Sequence, residues 1–196
     1  MRISIIGLGY VGLPLALAFS ERYEVIGYDI NIKRVKELNE GNDATFEADL
    51  EKLKSSKIKF TSDKNDLKDI KVFIIAVPTP VDDSNYPILK YLKNASEIVS
   101  EFIRKDCYVI YESTVYPGVT EEICLPILEC GSGLKVNKDF YIGYSPERIN
   151  PGDKTKTIKD IIKVTSGSCN DAAHFINDLY KSIIDKGTYM ASSIKV

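Results

Sequence analysis

The 196-residue chain has a single histidine, His174, and four cysteines with no C-x-x-C pair among them. Cys107, Cys124, Cys130 and Cys169 therefore lack the spacing of a zinc site, and no metal centre is expected. With 44% hydrophobic residues the chain has apolar material enough to fold without a disulfide framework. The cysteines are expected to be reduced and mostly buried. Excess positive charge is missing too: the formal net charge is −2, so no global field invites nucleic acid. Any bound anion has to be held by local geometry. No uninterrupted apolar run reaches the ~20 residues of a membrane span. Repeats, low-complexity tracts and linkers are absent as well, so one domain over residues 1–196 is expected.

The longest apolar stretch, Ile5–Phe19, follows Arg2 and has the outline of a secretory leader, with Ala16-Leu17-Ala18 imitating a cleavage site. Gly7, Gly9, Gly12 and Pro14 break that run and would disrupt an inserted helix. They make sense in another arrangement. Arg2–Ile6 is a β-branched run suited to a buried parallel strand, Gly7–Gly12 reads G-x-G-x-x-G, and Leu13–Arg22 continues as an apolar helix. Gly7 permits the tight turn, Gly9 lets the backbone approach a pyrophosphate, and Gly12 lets helix and strand pack closely. The helix N-terminus supplies unpaired N–H groups and the positive end of a dipole. Pro14 is tolerated in the first helical turn, where an N–H has no intrahelical acceptor. Glu24–Tyr28 forms a second strand that Asp29 closes, about 20 residues after the glycines. An acid there accepts from ribose hydroxyls and repels a 2′-phosphate, favouring NAD over NADP. The opposing reading, Asp29 as cap of the next helix, is weaker because Asn31 is better placed.

Strand and helix patterns then alternate. A helix is expected over Ile32–Glu40, stopped by Gly41, and a short one around Leu50–Lys54. Strands are expected at Lys57–Phe60, Lys71–Val77, Cys107–Tyr111, Phe140–Tyr144 and Ile161–Thr165. Ile88–Ile103, Val119–Leu128 and Asp171–Ile184 carry helical patterns. The expected fold class is α/β, a Rossmann-type doubly wound parallel sheet with helices on both faces. In such sheets ligands sit at the carboxyl ends of strands, which marks Gly7–Gly12, Asp29, Val77–Pro80, Glu112–Thr114 and Ser145–Arg148 as the functional edge.

Three of these segments carry further chemistry. Val77-Pro78-Thr79-Pro80 is a stiff turn whose Thr79 hydroxyl is expected to border the cofactor. In Glu112–Gly118, Ser113 or Thr114 would lie where nicotinamide and substrate meet, binding an alcohol or orienting water, unless they merely form the turn. Tyr144–Asp153 is the densest cluster: Glu147 is a candidate general base, and Arg148 a candidate for an anionic substrate, with an exposed ion pair as the plain alternative. His174 falls inside a helix away from this edge, and the lack of a well-placed histidine or lysine argues against a hydroxyacid dehydrogenase. Cys124 and Cys130 flank a helix end, where a thiol packs more readily than it attacks.

Together GLGYVGLPLA, GYD, VPTP, ESTVYPGVTEE, YSPERINPGD and KVTSG resemble, in order, the NAD-binding domain of the UDP-glucose/GDP-mannose dehydrogenase family. The resemblance covers essentially the whole chain. VPTPVDD with YSPERINPGDK is most similar to the UDP-N-acetylhexosamine 6-dehydrogenases of bacterial surface-polysaccharide synthesis, which are cytoplasmic enzymes; UDP-glucose dehydrogenases are the less similar alternative. The resemblance implies oxidation of a sugar C6 alcohol to a carboxylate with two NAD⁺, through an aldehyde captured by a cysteine, a thioester and its hydrolysis. It also implies that Tyr10, Val11, Asp29, Arg34, Thr79 and Thr114 contact NAD, beside Gly7, Gly9 and Gly12. Thr114 and Glu147 would border the reaction, and Arg148 and Ile149 would touch the UDP-sugar. Where the UDP-glucose branch has a second glutamate four residues after the first, this chain has Pro151. The family's catalytic lysine, asparagine and nucleophilic cysteine lie beyond the point reached at Val196, as do the contacts of its homodimer. The chain is thus expected to be an N-terminal portion that binds NAD without completing the oxidation. A non-catalytic NAD-binding regulatory module is the alternative of a different class.

Overall fold

The computed structural model describes residues 1–148 and 158–195. Eight strands form one sheet in the order β3-β2-β1-β4-β5-β6-β7-β8. They are β1 (Arg2–Ile6), β2 (Glu24–Tyr28), β3 (Lys59–Thr61), β4 (Val72–Ile75), β5 (Cys107–Tyr111), β6 (Phe140–Tyr144), β7 (Lys163–Gly167) and β8 (Thr188–Met190). Six α-helices accompany them: α1 (Gly12–Ser20), α2 (Ile32–Asn39), α3 (Leu50–Ser55), α4 (Lys90–Ser100), α5 (Leu125–Ser132) and α6 (Asn170–Lys181).

The central strands are buried on both sides, and their side chains alternate between two cores. Ile3 and Ile5 of β1, Val72 and Ile74 of β4 and Ile110 of β5 pack with α1 and with Ile176, Leu179 and Tyr180 of α6. Ile6, Phe73, Ile75, Val109 and Tyr111 face the other way, against Leu92, Ala95 and Val99 of α4 and Leu128 of α5. That period of two places helices on both faces of the sheet. Helix α1 is apolar almost all round because nearly all of it is buried, with Leu13, Leu15 and Phe19 wholly enclosed. The leader-like composition is that of a core helix.

Strands β1 to β6 are parallel, but β7 pairs with β6 antiparallel, with Tyr144 opposite Ser166. The doubly wound, mostly parallel sheet is the one expected, and the antiparallel β6–β7 pair is its one departure. A parallel neighbour needs a crossover, commonly helical, and the described part of the β6–β7 connection holds only a 3₁₀ turn at Ile158–Asp160. The crossover resumes with α6, which returns the chain to β8, parallel to β7. Strand β8 itself was not foreseen. Val119–Leu128 also differs from the single helix expected: Val119–Cys124 is π-helical and α5 begins only at Leu125. Pro126 has no N–H for a bond to the preceding turn, and its ring crowds the carbonyl of residue 122, so the chain widens before it.

Beyond the ends of β2, β1, β4, β5 and β6 the parallel ladder continues by one bond. Asp29 N donates to Thr61 O, Gly7 N to Tyr28 O, Ala76 N to Ile6 O, Glu112 N to Ile75 O and Ser145 N to Tyr111 O. Asp29, Gly7, Ala76, Glu112 and Ser145 therefore stand in one row along the carboxyl edge. Between β1 and β4 the strand order reverses, opening the crevice where doubly wound sheets hold ligands.

Candidate functional site

The glycine loop is shaped by sterics that a side chain would violate. Gly7 turns at φ +93°, and a Cβ on Gly12 would lie 1.8 Å from the Gly7 carbonyl oxygen. Gly9 is different. A Cβ there would meet no protein atom within 4 Å, and its backbone needs no left-handed conformation. Nothing in the described fold calls for glycine at that position, and the space beside it is open.

Two chambers meet at this loop, both bordered by Gly9, Thr45 and Ala76–Pro78. The first, about 460 Å³, runs over the end of β2 and is lined by Gly7, Tyr28, Asp29, Asn31, Arg34 and α4 residues Tyr91, Asn94, Ala95 and Ile98. Asp29 Oδ2 accepts from Leu8 N at 2.8 Å and Oδ1 from Asn31 N at 2.9 Å. The carboxylate thus clamps the glycine loop to β2, and each oxygen keeps capacity for a ribose hydroxyl. Asn31 caps α2 by accepting from Lys33 N and Arg34 N.

Arg34 is buried beside the loop, its Nε donating to Leu8 O at 2.9 Å and its Nη2 2.7 Å from Asp43. Its Nη1 is buried and has no hydrogen-bond partner among the described residues. Such a donor is costly to leave unmet and suits a ligand oxygen. Asp43 also accepts from Thr45 N and Oγ1, Glu47 N and Ala48 N. Burial pushes its carboxyl up, but the bonds from Thr45, Ala48 and Arg34 outweigh it and hold the group down at about 2.

The second chamber, about 480 Å³, lies over the ends of β4, β5 and β6 and is lined by Tyr10, Val11, Thr79, Pro80, Glu112, Ser113, Thr114 and Glu147. Its rims are stitched together. Thr79 Oγ1 donates to Thr114 O and Ser113 Oγ to Val77 O, both at 2.6 Å. Glu147 Oε1 accepts from Arg148 N at 2.6 Å. Beneath lies a cluster the sequence reading missed. The fully buried Lys163 Nζ donates to Glu112 Oε2 at 2.5 Å, and the Tyr180 hydroxyl donates to Glu112 Oε1. Burial raises the Glu112 carboxyl, Lys163 draws it down and Glu147 pushes it up again; the net direction is upward. The available signal was a lysine inside the apolar run Ile161-Ile162-Lys163-Val164.

The structure therefore gathers Gly7, Gly9, Tyr10, Val11, Asp29, Arg34, Thr79, Thr114 and Glu147 around one two-part cleft. Gly12 acts behind it, through packing. Arg148 is exposed and lines neither chamber, and Ile149 lies outside the described residues. His174 is exposed on α6. All four cysteines are free; Cys107 and Cys124 are buried, Cys169 is half-buried and Cys130 is exposed, so burial is less general than expected. Burial pushes the Cys124 thiol up to about 11, leaving it packed and unreactive. Among the described residues no helix is long and apolar enough to cross a membrane, and no group of acidic, histidine or cysteine side chains is arranged to hold a metal.

Fold and cleft define a dinucleotide-binding domain of Rossmann type. Comparison with known proteins narrows that class. Residues 1–184 match the NAD binding domain of the UDP-glucose/GDP-mannose dehydrogenase family. The chain is 51% identical to UDP-N-acetyl-D-glucosamine 6-dehydrogenase of Pseudomonas aeruginosa, covering 100% of this chain and 47% of the relative. It is 52% identical to Protein CapL of Staphylococcus aureus over 99% of this chain and 46% of that protein. Among solved structures, UDP-D-ManNAc dehydrogenase from Pyrococcus horikoshii superimposes with a TM-score of 0.89 at 36% identity, covering 99% of this chain and 47% of that one. A ternary complex of GDP-mannose dehydrogenase from Pseudomonas aeruginosa gives 0.89 at 28% identity, over 100% and 47%. The chain belongs to the UDP-glucose/GDP-mannose dehydrogenase family and corresponds to its NAD binding domain. It spans about half the length of the curated relatives it matches.

Proposed function

We propose that this chain is the cofactor-binding part of an NAD-dependent nucleotide-sugar 6-dehydrogenase that oxidises the C6 alcohol of a UDP-N-acetylhexosamine to the carboxylate. The observation that carries the reading is the paired cleft, with an acid-and-arginine chamber on one side of the glycine loop and a hydroxyl-and-carboxylate chamber on the other. A dinucleotide has the matching form, two nucleosides joined by a diphosphate. The space at Gly9 and the unmet Arg34 Nη1 fit it independently.

In this arrangement Asp29 accepts from the adenosine ribose hydroxyls and repels a 2′-phosphate. The backbone N–H groups at Tyr10 and Val11, at the entrance to α1, face the diphosphate, while Arg34 donates from the side. NAD⁺ supplies the hydride acceptor. Thr79 and Thr114 border the nicotinamide end. Thr114 is placed to bind the sugar alcohol or a water, and Glu147 to accept a proton from it or assist the later hydrolysis. Arg148 and Ile149 are assigned to the UDP-sugar on family resemblance alone. That resemblance also supports a homodimeric, cytoplasmic enzyme of surface-polysaccharide synthesis.

The test is stoichiometric. The complete protein, given UDP-N-acetylglucosamine and NAD⁺, should form two NADH per sugar consumed. Tight NAD⁺ binding with no NADH from any UDP-sugar would replace this reading with a regulatory, non-catalytic module.

A further inference from the structure

Lys163 opens β7, and because β7 runs against β6 its first residue arrives at the carboxyl edge of the sheet. An ammonium has three protons to donate, and here there are three acceptors. They are Glu112 Oε2 at 2.5 Å, Pro146 O at 3.0 Å and Ser145 O at 3.3 Å. Glu112 begins the loop that reaches Thr114 two residues later, and Pro146 immediately precedes Glu147. One side chain thus spans the two loops that form the floor of the second chamber.

Tyr180 completes the cluster from α6. Its hydroxyl donates to the other Glu112 oxygen, and the Lys163 ammonium lies 5.7 Å from its ring centroid. Lys163, Glu112 and Tyr180 come from three elements, and their side chains are fully enclosed. Stability alone is a poor reason for such a pair. Apolar side chains of similar volume commonly replace buried ion pairs without loss, whereas removing one partner leaves a stranded charge. What an apolar replacement lacks is direction: it would fill the space without fixing where the two loops lie relative to each other.

We propose that Lys163 is a positioning residue for the nicotinamide end of the cleft. By holding Glu112 of one loop and Ser145–Pro146 of the other, it sets the spacing between Thr114 and Glu147 and hence the fit of the cofactor's nicotinamide. This rests on the NAD reading given above.

The test compares NAD⁺ with ADP-ribose, which shares the adenosine, diphosphate and second ribose but has no nicotinamide. Both are titrated calorimetrically into the wild-type chain and into the double variant Lys163→Met/Glu112→Gln, which buries no charge and keeps an acceptor for Tyr180. The double variant should lower the ratio of NAD⁺ to ADP-ribose affinity about tenfold, the size of one lost charge-assisted contact. A folded double variant with the wild-type ratio of NAD⁺ to ADP-ribose affinity overturns the proposal, because the cluster is then only filling. A wild-type ratio near one overturns it too. Should the double variant not fold, Lys163→Arg is measured in the same way; its fork keeps the charge but not three converging bonds, and an unchanged ratio again overturns the proposal. Wild-type chain that binds neither ligand removes the NAD reading itself, an outcome distinct from all of these.

Discussion

At the scale of single residues, the three motif glycines are not equivalent, and the difference is measurable. Gly9→Ala places a methyl in empty space, so the unfolding free energy should stay within about 0.5 kcal/mol of wild type while NAD⁺ affinity drops at least ~10-fold. Gly12→Ala drives a methyl into the Gly7 carbonyl and should cost ~3 kcal/mol or more of stability. Denaturant melts paired with NAD⁺ titrations separate the two; equal stability losses would contradict the division of labour. Under the proposed function Asp29 is expected to combine both kinds of role. Asp29→Ala removes acceptors from Leu8 N and Asn31 N, so it should lower stability by ~1–2 kcal/mol as well as weaken NAD⁺. Asp29→Asn keeps an acceptor but loses the charge, so its distinguishing effect is a smaller gap between NAD⁺ and NADP⁺. If that gap is unchanged, the carboxylate is a loop clamp and not the source of cofactor choice. The placing of these residues at one strand edge was readable from sequence because the G-x-G-x-x-G turn and the acid closing the next strand are local constraints, set by neighbours within thirty positions.

At the scale of elements, legibility depended on whether the pattern or the connection decides. Strands β1, β2, β5 and β6 were foreseen with their limits, since short runs of enclosed branched and aromatic residues determine them. The direction of β7 was not foreseen. Direction comes from how the chain returns to the sheet, and Lys163-Val164-Thr165-Ser166-Gly167 reads the same either way. A parallel β7 would carry Lys163 to the far edge of the sheet. That one reversal is why the Lys163–Glu112–Tyr180 cluster escaped a reading that had already marked Glu112–Thr114. The turn at 43–48 offers a test on this scale. Asp43 is depressed to about 2 from a usual value near 3.8 and gathers four hydrogen bonds from the turn besides the Arg34 pair. A lowered folded value means that its stabilisation is complete above pH ~4 and fades as pH falls through 2. Asp43→Asn should therefore be less stable than wild type at pH 7, and the difference should shrink steadily between about pH 4 and pH 2. A difference independent of pH across that window would show that shape, not charge, holds the turn.

At the scale of the whole molecule, the cleft borrows from both halves of the sheet. Asp29 and Arg34 follow β2 on one side of the reversal, Thr79, Thr114 and Glu147 follow β4, β5 and β6 on the other, and the glycine loop joins them. A ligand touching all of these binds the folded state and has no counterpart in the unfolded chain, where the row of strand ends does not exist. Mass action then fixes the expected gain: at about 100 times its dissociation constant, NAD⁺ stabilises the fold by ~2.7 kcal/mol. For a chain of this size that corresponds to a rise in the melting midpoint of roughly 5–10 °C. Differential scanning calorimetry with matched concentrations of NAD⁺, NADP⁺ and ADP-ribose measures it. NAD⁺ should give the full rise, ADP-ribose a smaller one because it leaves the Thr114–Glu147 chamber partly empty, and NADP⁺ the least because Asp29 opposes its extra phosphate. Equal shifts for NAD⁺ and NADP⁺ would mean that the first chamber does not sense the 2′ position. Equal shifts for NAD⁺ and ADP-ribose would mean that the second chamber makes no use of the nicotinamide, leaving Thr114 and Glu147 at a strand edge without a cofactor to serve.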